Sequence, residues 1–129
     1  MNVAQLSELF LMNMGYARND AADPDVLEEY AGQLRRWLNE AYIRAVRRIG
    51  GKKALQHLDV LVSDDDEPTK LDESLHPYLA DYAAARGQEL RGNMAAAGGL
   101  YAAFERALSE CVQADMASGW DGRRSWQSL

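Results

Sequence analysis

Few residues in this chain carry the chemistry of catalysis or metal binding. It holds one cysteine, Cys111, and two histidines, His57 and His76. Zinc sites draw Cys and His ligands from close, regular spacings, and none occurs here. Glu73 and His76 have the i,i+3 spacing that di-iron carboxylate bundles use, but such a centre takes a second pair and two further Glu from facing helices. No second pair exists. Glu73 therefore reads as a first-turn acid placed favourably in a helix dipole, and His76, before Pro77, as a packing residue of that turn. A Cys–His dyad from Cys111 and His76 needs the two brought together from different helices. Cys111 falls on an apolar helical stripe and reads as a buried, inert thiol. Asp64, Asp65, Asp66 and Glu67 form an acidic run, but a calcium loop alternates its ligands around a central Gly, and this run does not. It reads as a solvated loop. There is no P-loop and no dinucleotide fingerprint. Nothing assembles nucleophile, base and oxyanion donors. The expectation is a non-enzyme with no cofactor and no metal.

The elements that position these residues read as helices. Composition favours them, with many alanines and few β-branched residues. The longest runs from 23 to 51. Asp23 is an N-cap and Pro24 occupies the first helical position. Asp25, Glu28 and Glu29 sit at the positive end of the dipole, Arg44, Arg47 and Arg48 at the negative end, and Gly50–Gly51 supplies a left-handed stop. Leu27, Ala31, Leu34, Leu38, Ala41 and Ala45 make one apolar stripe, widened by Tyr30, Trp37, Tyr42, Val46 and Ile49. Arg36, Glu40 and Arg44 form an i,i+4 ladder on the other side. About 26 residues give a rod of roughly 39 Å. A domain of this size has a diameter of roughly 36 Å. The helix is therefore expected to span the subunit, as its spine and as one wall of a contact between subunits. Trp37 and Ile43 are the candidates for that contact.

Around it, residues 2–15 read as a first helix with Asn2 and Gln5 as a capping box and Gly15 as the stop. Leu11 and Met12 make its apolar face wider than one neighbour needs. Residues 52–62 read as a helical turn followed by extended chain, and 63–70 as the acidic loop. A third helix is expected over 71–91, capped by Asp72 or Ser74, and a fourth over 94–117, capped by Asn93. The short link between them favours antiparallel packing. Ala83 to Ala85 and Ala95 to Gly99 are small enough for close approach, and Gly98–Gly99 allow a bend. Residues 118–129 read as an irregular tail. Trp120, Trp126 and the pair Arg123–Arg124 are of the types that anchor partner interfaces. The fold expected is all-α: a small four-helix subunit over 1–117 with one long central helix, followed by a C-terminal docking segment over 118–129.

The chain has 129 residues, enough for one core. Its net charge of −6 and pI near 4.8 argue against binding nucleic acid by bulk electrostatics. The start lacks the basic region of a signal peptide, and the apolar run at 9–14 is too short to span a bilayer. The default compartment is the cytosol, with no membrane partner.

The order of features resembles the head–tail connector, or portal adaptor, family of tailed bacteriophages. The similarity covers roughly 3–108. A short helix begins Val3-Ala4-Gln5-Leu6 and ends Met14-Gly15. A long helix carries Leu38-Asn39-Glu40-Ala41-Tyr42 and a basic end. After an acidic loop come Leu75-His76-Pro77-Tyr78-Leu79, Asp81-Tyr82-Ala83, Arg86, Gly92-Asn93 and an Ala-rich helix with Tyr101 and Phe104. The resemblance implies a structural virion protein in the neck, made in the host cytoplasm. Its subunits form a homo-oligomeric ring, commonly of twelve, that binds the portal protein, extends the DNA channel and offers a platform to the tail or the next connector. It implies no catalytic residue. Terminal segments that reach onto the portal or a neighbour would give Trp120 and Trp126 a role. Twelve copies at −6 each carry about −72 in formal charge. An acidic lumen would let DNA pass without sequence-specific binding. Asp64 to Glu67 are the candidates for a lumen- or tail-facing loop. The competing expectations are a cytosolic helical interaction module, regulatory or antitoxin-like, and a helical-bundle enzyme or metal protein.

Overall fold

The computed structural model describes residues 1–16 and 24–117, and these fold into four α-helices with no strand among them. They are α1 (Val3–Asn13), α2 (Pro24–Leu55), α3 (His76–Leu90) and α4 (Met94–Ala117), with a short 3-10 turn at Glu73–Leu75. The all-α architecture with a long central helix is as expected. The expected N-cap Asp23 and the tail lie outside the described residues.

Local chemistry sets the ends. The Asn2 carboxamide accepts the Gln5 N–H and the Gln5 side chain accepts the Asn2 N–H, completing the capping box. The long helix breaks at the expected Gly50–Gly51 stop. Gly51 adopts φ 74° and ψ −169°, which breaks the helix, and one more helical turn follows to Leu55. The third helix begins later than expected. Asp72 caps the 3-10 turn through the Ser74 N–H, and α3 then starts at His76 with Pro77 in its first turn, where a missing N–H is harmless. Gly92, at φ 78°, turns the chain, and Asn93 accepts the Ala96 N–H to begin α4.

The core lies where α1, α2 and α3 meet and continues between α3 and α4. Leu6, Phe10 and Leu11 of α1 are fully buried, as are Leu38, Ala41, Ala45 and Val46 of α2, Leu79 of α3 and Phe104 of α4. Phe10 meets Tyr30 edge-on at 5.3 Å between ring centroids, and Tyr82 packs on Phe104 at 5.1 Å, distances at which aromatic pairs attract. The expected stripe on α2 is fully buried from Leu34 onward; before it Leu27 and Tyr30 are half-buried against the core and Ala31 is exposed.

Close approach occurs at a glycine whose partner is remote in sequence. A Cβ on Gly87 would lie 2.7 Å from the Met14 sulfur, so the end of α1 seats directly on α3. Ala83 to Ala85 are buried as expected, but Gly98 and Gly99 are exposed and face open space, so they mediate no close packing. Nor does the Arg36–Glu40–Arg44 ladder join residues within α2. Glu40 pairs with Arg86 of α3 at 3.6 Å, and Arg44 with Glu105 of α4 at 3.9 Å, while Arg48 reaches both Glu105 and Ser109. These pairs are well exposed and each contributes little energy, but together they favour one register of α2 against the α3–α4 hairpin.

Leu38→Ala removes a side chain with no exposed surface. It is expected to cost about 2–5 kcal/mol, read as a lower urea midpoint at unchanged slope. Leu34→Asp should abolish the cooperative thermal transition by burying a charge. A retained transition would put Leu34 outside the core.

Candidate functional site

Between α2 and α3 the chain crosses the subunit without regular structure, and side chains of α2 hold it there. The Asn39 carboxamide makes two hydrogen bonds to one residue: it donates to the Leu61 carbonyl at 2.9 Å and accepts the Leu61 N–H at 2.7 Å. One turn further on, the Tyr42 hydroxyl accepts the Lys70 N–H at 3.0 Å. Burial pushes the Tyr42 phenol above its ordinary pKa, against the pull of the Lys70 N–H. With both ends fixed, Leu61, Pro68 and Leu71 enter the core. Helical periodicity puts Tyr42 on the apolar stripe of α2 and Asn39 beside it, with no local partner to mark its task. A polar residue between two core positions of a long helix was the available signal.

The acidic run is a folded turn. One carboxylate oxygen of Asp66 accepts the N–H groups of Val62 and Ser63, both at 2.8 Å. The Ser63 bond and then the Val62 bond hold the Asp66 carboxyl below its ordinary 3.8. The Asp66 carbonyl accepts the Val3 N–H at 2.9 Å and the Asp64 carbonyl accepts the Ala4 N–H, so the turn also caps α1. Asp64 pairs with Arg35 of α2 at 3.2 Å, and Glu67 lies 3.2 Å from the amino group of Met1. Asp64, Asp65 and Glu67 are exposed, as expected of a solvated loop, and Asp66 is half-buried, yet Asp64, Asp66 and Glu67 are engaged within the subunit. Among the described residues, no group of three or more His, Cys, Asp or Glu is arranged to hold a metal ion.

The residues with catalytic chemistry stand apart in function. His76 is buried, with Nε2 3.1 Å from the Leu71 carbonyl and Nδ1 2.8 Å from the Met1 amino group. The carbonyl requires a proton on Nε2, which leaves Nδ1 as an acceptor. Both ring nitrogens are therefore engaged with backbone groups. His57 and Glu73 are exposed in different segments. Cys111 is half-buried rather than enclosed, and forms part of a groove wall.

The apolar surface left uncovered marks the candidate interaction site. Leu90 is 65% exposed and Met94 62%, one on each side of the α3–α4 turn. Val60 and Val62 are similarly exposed on the irregular crossing, Met12 on α1 and Ile43 on α2. A groove of about 560 Å³ opens between the end of α2, the start of α3 and the late turns of α4. Its apolar walls are Ile49, Leu71, Leu75, Tyr78, Ala107 and Cys111, and the exposed acids Asp72 and Glu110 also line it. Of the two contact residues expected on α2, Ile43 faces outward. Trp37 does not. It is 4% exposed and packs at 6.2 Å on Phe10, so it belongs to the subunit's own core. Its width on the stripe reflected cover by α1. Trp120, Arg123, Arg124 and Trp126 lie outside the described residues. No described helix is long and apolar enough to cross a membrane.

The low pKa of Asp66 has a definite sign in stability. Folding favours its charged form, so its contribution is present above the ordinary carboxylate range and is lost as pH falls through its folded value. Asp66→Asn should lower the urea midpoint at pH 7 and flatten the acid limb below about pH 4. An unchanged acid limb would show that the two N–H bonds do not set that limb.

The chain was compared with protein-family models, curated proteins and solved structures, and it matches none of them.

Proposed function

We propose that the chain is the subunit of a homomeric ring acting as a head–tail connector in a tailed-phage particle, seated between portal and tail and lining the DNA path. It acts by assembly and carries out no reaction. The observation that carries this reading is that exposed apolar surface lies beside both ends of α1, on different elements of the subunit. Val62 shares the Asp66 carboxylate with the turn that caps the start of α1. Leu90 and Met94 flank Arg91, which donates to the Met14 carbonyl at the end of α1. The 11 residues of α1 separate the two regions by roughly 16 Å. A two-fold dimer needs one self-complementary patch, whereas a ring needs two different patches that meet head to tail. The net charge of −6 per copy suits a conduit that repels DNA phosphates. The acidic turn at 64–67 is the candidate lumen- or tail-facing element.

The groove near Cys111 favours a second reading, a helical interaction module that takes one partner segment. That reading predicts a monomer or dimer and no ring.

Negative-stain microscopy of the chain mixed with portal protein separates the two. Rings seated on the portal support the connector. A chain that stays dispersed beside intact portals rejects it. Ile43→Asp places a charge on the outward face of α2 and should leave the thermal transition intact while reducing ring formation. Normal rings from that variant would confine α2 to its scaffold role.

A further inference from the structure

We infer that the tip of the α3–α4 hairpin on one copy seats in the groove at the opposite end of the same hairpin on the next copy. This names the contact for the ring reading and rests on it. The tip is Leu90 and Met94, 65% and 62% exposed, on either side of the Gly92 turn. The groove lies at the other end of the hairpin, bounded by Leu75 and Tyr78 at the start of α3 and by Ala107 and Cys111 late in α4. From Tyr78 to Leu90 is 12 residues, and so roughly 18 Å along the helix axis. Tip and groove therefore cannot meet within one subunit, and can meet between two. An apolar projection with a complementary groove elsewhere on the same molecule makes a heterologous, propagating contact.

Rigidity and charge favour a second copy as the occupant. The tip is not a loose loop. Arg91 ties it to α1 and α2 by donating to the Met14 carbonyl and to the hydroxyls of Tyr16 and Tyr30, at 2.9 and 2.7 Å, with its guanidinium 5.5 Å from the Tyr16 ring centroid. A fixed projection loses little conformational freedom on docking. Arg91 is exposed beside Leu90, and its guanidinium has donors beyond these three contacts. The groove presents Asp72 and Glu110. On the tip, Glu89 is bonded to Tyr101 of α4 and so is directed back into its own hairpin. A cation on the projection thus faces acids on the receptor.

The test uses the full chain and two variants. Leu90→Glu with Met94→Glu spoils the tip. Ala114→Trp fills the groove from an exposed position on its wall. Both should keep the parent thermal transition, because neither alters a core side chain. Each alone should lose self-association by about 30-fold or more, as expected for central contact residues. Mixed in equal amounts they should form a one-to-one pair and grow no further, because each retains the half that the other lacks. A parent that assembles while either variant assembles equally well rejects this contact and leaves the ring reading standing. A parent that stays monomeric at every concentration rejects both.

Discussion

The subunit depends on two hydrogen bonds between one side chain and one backbone residue, Asn39 to Leu61. Irregular chain laid against a core brings N–H and C=O groups that no helix or sheet satisfies. Leaving one such group buried and unpaired costs about 1–3 kcal/mol. Asn39 satisfies both groups of Leu61 at once, so the Leu61 side chain can be 2% exposed without that cost. The Tyr42 hydroxyl accepts the N–H of Lys70, and the next residue, Leu71, is buried as well. The Asp66 turn lies between these anchors, and the start of α1 hangs on that turn. The placement of α1, and with it much of the core, thus follows from two residues on the spine.

This arrangement also explains why the two ends of the subunit remain open. The middle of α2 is covered by α1, α3 and the crossing segment. The first turns of α2 are only partly covered, with Leu27 and Tyr30 half-buried and Ala31 exposed, and past Gly51 a single helical turn is all that remains. The α3–α4 hairpin runs from the groove at one end to the Leu90–Met94 tip at the other. Surface charge pairs between α2 and the hairpin hold these ends in a fixed relation, though each contributes little to stability. A rod-like element with different surfaces at its ends is suited to repetition through space.

The sequence revealed what is encoded locally. The capping box of Asn2 and Gln5, Pro77 in a first turn, the short break at Gly92–Asn93 and the cap at Asn93 depend on neighbours within a few residues, and all were legible. So was the core stripe from Leu34 to Ile49, because helical periodicity marks an apolar face. Periodicity cannot say what covers that face. Trp37 widens the stripe and Ile43 lies on another side of the helix, and both read as contact residues, yet α1 covers the first and the second stays open. Long-range pairing was equally hidden. The i,i+4 spacing of Glu40 with Arg36 and Arg44 is real, but partners on other helices take both Glu40 and Arg44. The sequence also shows no reason for Gly87, since its neighbour Met14 is distant along the chain. The acidic run is exposed as composition implies, but its capping of α1 is a tertiary fact.

The central claim is that this subunit joins its copies through two different surfaces. Sedimentation velocity of the full chain over a concentration series tests it most directly. The account predicts that a 14.4 kDa species gives way to one closed assembly of fixed, higher mass. A single 14.4 kDa species throughout would contradict it, as would growth that ends at a dimer, because a dimer needs only one self-complementary patch.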